Sequence, residues 1–121
     1  MQYDILKRVV DELARVLPGS QTEKIVPLDN GGLCFRFQAR KKRFQLLVSP
    51  DRGLPRIHLI SRRQEASEHP SPFYLQVRKY IAGSRLAGIS VHGGDRIVEM
   101  RFERSVGVSL LIFELFAAKS N

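Results

Sequence analysis

Four short stretches follow one another with only turns between them: TEKIVPL (Thr22–Leu28), GLCFRFQA (Gly32–Ala39), FQLLVS (Phe44–Ser49) and PRIHLIS (Pro55–Ser61). Strands in series, with no helix after each one, argue for an antiparallel sheet and against a parallel βαβ fold. Asp29-Asn30-Gly31-Gly32 is a strong hairpin signal, because Asn-Gly and Gly-Gly tolerate positive φ. The basic run Ala39 to Arg43 and the PDRG of Pro50 to Gly53 read as the next two turns. In the second stretch Leu33, Phe35 and Phe37 share one face, and Cys34, Arg36 and Gln38 the other. Cys34 is therefore expected on the more polar side, as an incidental thiol. In the fourth, Ile57 and Leu59 oppose Arg56 and His58.

Two helices frame this run. Leu6, Val9, Val10, Leu13 and Leu17 recur at helical spacing between Asp4 and Leu17, and Pro18-Gly19-Ser20 stops the pattern. Arg62 to Pro72 has no period and reads as a loop. Ser71 suits an N-cap, Pro72 the first turn and Gly83 the position after the helix end. Phe73, Val77, Tyr80 and Ile81 are expected to face the core, with Arg78 and Lys79 off that stripe. Three further strands, RLAGISVH, DRIVEMRFER and VSLLIFELF, finish the chain. Val98, Met100 and Phe102 should face inward. VSLLIFELF is apolar on both parities and is expected to be a central strand covered on both sides. The order α, β×4, α, β×3 predicts an α+β fold: an antiparallel, sandwich-like or curled sheet with two flanking helices, in one domain over 1–121.

Charge narrows the partners. The 121 residues carry a net charge of +8. Between Arg40 and Arg63, Arg40, Lys41, Lys42, Arg43, Arg52, Arg56, Arg62 and Arg63 stand against the single acid Asp51, whereas the first 17 residues are balanced. A regional basic excess is an electrostatic footprint for a polyanion, the competing reading being a solvated face. No apolar run approaches the ~20 residues of a membrane span. Asp4, Asp11 and Glu12 interrupt the N-terminal apolar pattern, which excludes a signal peptide. One cysteine allows no internal disulfide. The expectation is a soluble cytoplasmic protein without membrane association.

Catalytic patterns are absent from the sequence. His58, His69 and His92 lack metal-ligand spacing. GISVH, Gly88 to His92, begins like a nucleophile elbow but lacks its closing glycine and precedes a strand. GGLCF and HGGDR are too short for a phosphate loop. No paired carboxylates stand out. The chain reads as a non-enzyme that needs no cofactor or metal.

Several segments in order, SPFYLQVRKYIAG, HGGDRIVEMRF and ELFAAKSN, together resemble the N-terminal domain of the NFACT family, long labelled fibronectin-binding protein A. ELARVLPGSQTEKI and SPDRGLPRIHLIS resemble its upstream passages, so the likeness covers nearly the whole chain. The family's closing segment usually carries Gly-Arg-His before Ser-Asn, where this chain has Ala117-Ala118-Lys119. Family members continue into further domains, so the chain is expected to be a piece of a longer protein or else a stand-alone relative. The resemblance implies a fold similar to the N-terminal domain of formamidopyrimidine-DNA glycosylases. Those enzymes use an N-terminal proline as nucleophile; Gln2 follows Met1 here, so their chemistry is not carried over. It further implies a non-catalytic RNA-binding domain that contacts tRNA or rRNA on the large ribosomal subunit in ribosome-associated quality control. In ribosome-associated members an Asp-Arg pair, here Asp95 and Arg96, is implicated in tRNA engagement. Candidate contacts are Asp95, Arg96, Arg40, Lys41, Lys42, Arg43, Arg56, Arg78 and Lys79. By strand parity Arg96 follows Val98 and Met100 toward the core, so a structural role, paired to an acid from another strand, competes with the functional one. The alternative function is a protein-interaction or adhesin-type module that binds fibronectin.

Overall fold

The computed structural model describes residues 2–50, 55–94 and 96–115. Their elements run α1 (Tyr3–Val16), β1 (Gln21–Pro27), β2 (Leu33–Ala39), β3 (Lys42–Ser49), β4 (Arg56–Ile60), α2 (Pro72–Ile81), β5 (Arg85–Val91), β6 (Ile97–Arg104) and β7 (Gly107–Glu114). Among the described residues the strands form one antiparallel sheet in the order β4-β3-β2-β1-β5-β6-β7. The α+β order expected from the sequence is the observed one.

Local chemistry sets most of the register. Gly31 takes φ 83° in the β1–β2 turn, and the Leu28 amide donates to the Gly32 carbonyl at 2.9 Å. Ala39 pairs with Lys42, so Arg40 and Lys41 alone make the β2–β3 turn. The PDRG turn between β3 and β4 falls largely on 51–54, outside the described residues. Ser71 caps α2 by accepting from the Tyr74 amide at 3.1 Å, Pro72 opens the helix, and Gly83 (φ 81°) follows its end.

The sheet is two runs of hairpins joined at one narrow seam. Gln21 of β1 faces Arg85 of β5. Around this pair Thr22 N donates to Ser84 O at 2.8 Å, and Gly83 N to Thr22 O at 2.9 Å. So short a seam lets the halves fold toward each other. Phe102 of β6 stacks on Phe35 and Phe37 of β2, at centroid distances of 6.0 and 6.5 Å. In a flat sheet three strand spacings would hold β2 and β6 about 14 Å apart. The sheet therefore curls until its apolar faces meet, which is the sandwich-like arrangement. Helix α1 buries Leu6, Val10 and Leu13, with Leu17 just beyond, and packs on β5 while touching β4. Helix α2 touches β1 and β7.

Three expectations need correction. Strand β7 is an edge, not a central strand. Leu111 and Phe113 are buried, but Val108, Leu110 and Ile112 are 53%, 55% and 51% exposed. Apolar character on both parities reports composition; it does not supply a second layer, and among the described residues β7 pairs only with β6. The buried face of α2 holds Tyr74, Val77 and Ile81, while Phe73 and Tyr80 are half-exposed. Tyr74 can be buried because its hydroxyl donates to the Ile25 carbonyl at 3.1 Å. Cys34, finally, is fully buried despite its place on the more polar parity.

Candidate nucleic-acid interface

Beyond β4 the segment 61–71 is largely exposed but is tied back to the sheet at two points. It returns across the outer face of the sheet as a strap. Gln45 Nε2 of β3 donates to the Ser61 carbonyl at 3.4 Å, and the Ser67 amide donates to the Pro27 carbonyl of β1 at 2.8 Å. Val26, Cys34 and Leu47 stand in one row across three strands on that face, and all three are buried. Burial pushes the Cys34 thiol pKa above its ordinary 9.0, and nearby Arg36 acts weakly in the other direction.

The adjacent row is open. Lys24, Arg36, Gln45 and Ile60 lie side by side on β1 to β4. Strand β4 stops at Ile60, whereas β3 runs on to Lys42. The strip this leaves is a groove of about 600 Å³ whose lining includes Arg36, Arg43, Arg63, Phe44, Leu59 and Ile60. Glu23 also lines it and sits 3.5 Å from Arg43. Two shallower depressions adjoin it. One, bordered by Lys24, Glu65 and Gln64, shares Arg36 and Arg63; the other is bordered by Arg56, His58 and Arg62. Among the described residues no acid lies within 4.0 Å of Lys24, Arg36, Arg56, Arg62 or Arg63. The Arg56 Nε is buried without a hydrogen-bond partner. Guanidinium groups held partly out of water without a counter-charge are ready anion sites, since each offers a planar fork to phosphate. Also among the described residues, no cluster of His, Cys, Asp or Glu is arranged to hold a metal, and no helix is long and apolar enough to cross a membrane.

The sequence profile described as NFACT N-terminal and middle domains matches residues 3–121. The chain belongs to the NFACT family. It is similar to a protein named Rqc2 homolog RqcH from Streptococcus pneumoniae serotype 2, at 28% identity over 128 residues; the match covers 100% of this chain and 23% of that relative. The N-terminal domain of the fibronectin-binding protein PavA from Streptococcus pneumoniae superposes with a TM-score of 0.83 at 28% identity, over 94% of this chain and 45% of that one. The N-terminal part of the fibronectin/fibrinogen-binding protein of Streptococcus suis gives 0.79 at 23% identity, covering 90% and 43%. At that level the likeness speaks for the fold alone. The chain thus spans less than a quarter of the curated relative it matches.

The NFACT resemblance placed weight on Asp95 and Arg96. Asp95 lies outside the described residues. Arg96 is half-buried just before β6, on the parity of Val98 and Met100, and is not free; its carbonyl accepts from the Leu115 amide at 2.8 Å. Arg40, Lys41, Lys42 and Arg43 are exposed at the β2–β3 turn. Arg40 holds a left-handed φ of 57°, a conformation usually left to glycine or asparagine. Arg43 and Arg56 reach the groove and its neighbour. Arg78 and Lys79 are exposed on α2, where the Lys79 ammonium lies 5.3 Å from the Tyr80 ring centroid, and neither lines the groove. The structure therefore gathers Arg43 and Arg56 with Lys24, Arg36, Arg62 and Arg63, four cations absent from the candidate contacts. The signal for Lys24 and Arg36 was present: counting back through both hairpin turns aligns Lys24, Arg36 and Gln45 on one face. Arg62 and Arg63 had no such signal, because only the path of the strap brings them over the sheet.

Proposed function

We infer that this chain is a non-catalytic RNA-binding unit of an NFACT protein, contacting tRNA or rRNA on the large ribosomal subunit in ribosome-associated quality control. It acts in the cytoplasm as a single N-terminal-like domain over 1–121. The observation that carries the reading is the basic face over β1–β4 and its strap, where, among the described residues, Arg36, Arg56, Arg62 and Arg63 have no acid within 4.0 Å. The RqcH relative supplies the ribosomal setting. The likeness to glycosylase N-terminal domains belongs to this reading as architecture only, since Gln2 offers no nucleophilic proline. Arg40, Lys41, Lys42 and Arg43 would meet phosphates, and Asp95 and Arg96 would engage tRNA at a separate corner. Titration of labelled tRNA across a salt series tests it. Contacts to single strands should give a log–log slope of about −0.7 per phosphate neutralised. Binding indifferent to salt rejects the reading.

A second reading follows from the PavA neighbour, which is described as a fibronectin-binding protein. On it the chain is a protein-interaction module. Capture on immobilised fibronectin at physiological salt, with no affinity for tRNA, would favour it.

A further inference from the structure

We propose that the groove beside the end of β4 receives an unpaired nucleotide of an RNA strand, with Arg36, Arg43 and Arg63 holding its phosphates and the apolar lining of Phe44, Leu59 and Ile60 taking its base. This rests on the RNA-binding reading above and adds a second binding point, distinct from the Arg96 corner.

Four observations converge on it. Arg36, Arg43 and Arg63 border one cavity, and Glu23, the one acid in its lining, is already within 3.5 Å of Arg43. Arg36 and Arg63 have no acid partner among the described residues. Between the cations the lining is mainly apolar, with Gln45 and Ser61 as its polar members, and Leu59 there is 41% exposed. Exposed apolar side chains flanked by arginines suit a flat ring joined to a phosphate, because any base presents a π-face. A volume of about 600 Å³ lies in the range of small-ligand sites. It has room for one nucleotide, and a base can enter it only when unstacked from its neighbours, as in a single strand.

The surroundings distinguish a polynucleotide from a free nucleotide. Cations continue out of the groove in two directions, to Lys24 on one side and to Arg56 and Arg62 on the other. A free nucleotide would use only the central three. A strand laid over the strap would meet cations before and after the groove.

The test uses the whole chain and a fluorescein-labelled oligouridylate hexamer, read by anisotropy across a salt series. Arg36→Gln combined with Arg63→Gln should weaken the hexamer about ten-fold or more. It should also flatten the log–log salt slope by about 0.7 for each phosphate that is no longer neutralised. Arg36→Lys with Arg63→Lys keeps the charge but not the fork, so the slope should hold while affinity falls. This second pair carries the test if the first melts early. Arg15→Ala, on the exposed side of α1, should leave hexamer affinity within about two-fold. Unchanged hexamer binding in both pairs overturns the proposal. Uridine monophosphate binding as tightly as the hexamer overturns the strand assignment in favour of a free nucleotide. If tRNA binds but the hexamer does not, the groove proposal fails and the RNA reading stands. If neither binds, both fail.

Discussion

Phe102 of β6 lies 6.0 Å from Phe35 of β2, ring on ring, although β1 and β5 separate their strands in the sheet. This contact, with Phe37 beside it, is where the curled sheet meets itself. All three rings are fully buried. Phe102→Ala should therefore destabilise the fold by about 3–5 kcal/mol, since no neighbour can fill the space without uncurling the sheet. Leu110→Ala on the outer face of β7 should stay within about 1 kcal/mol, because that side chain is already half in water. Urea unfolding of both variants checks the contrast, and equal losses would mean that the outer face of β7 is covered in solution.

The α2 anchor is polar at its tip. Tyr74→Phe leaves the ring in place and strips the Ile25 carbonyl of its side-chain donor. A loss of about 1–2 kcal/mol is expected, the scale of a buried acceptor left without its partner. A loss below about 0.3 kcal/mol would mean that water replaces the hydroxyl.

Cys34 should act on stability through pH. Burial raises its folded pKa above the ordinary 9.0, so the folded chain holds the thiol proton more tightly than the unfolded chain does. The contribution of Cys34 is complete below about pH 9 and is lost as pH rises through the raised folded value. The stability difference between the native protein and Cys34→Ala should accordingly shrink as pH rises above about 9. A difference that stays constant would mean the thiol titrates as it does in the unfolded chain. Labelling by a thiol reagent should also be slow until urea releases the strap.

Arg96 separates a structural corner from a recognition site. Arg96→Ala should weaken tRNA binding by about ten-fold, more than Lys79→Ala on the exposed face of α2. If Arg96 serves the fold instead, the same change should cost roughly 3–5 kcal/mol and leave affinity per folded molecule unchanged. Paired denaturant melts and tRNA titrations decide between them.

Much of this architecture is legible in local sequence because its causes are local. Asn30 and Gly31 shape the first hairpin, Ser71 and Pro72 start α2, and the alternation of Val98, Met100 and Phe102 marks an inward face, all through interactions spanning a few residues. Three features depend on distant packing. VSLLIFELF has the composition of a central strand, yet its neighbour in space is decided by the strand order, which places β7 last. Tyr74 displaces Phe73 from the core because one carbonyl, on Ile25, is within reach of a hydroxyl. The 61–71 segment has no period to read. Only its path back toward Pro27 sets Arg63 beside Arg36. The sequence alone thus determined the elements and the regional excess of positive charge. The tertiary structure decided which of those charges share a groove, because side chains far apart in the chain converge only after the sheet has curled and the strap has crossed it.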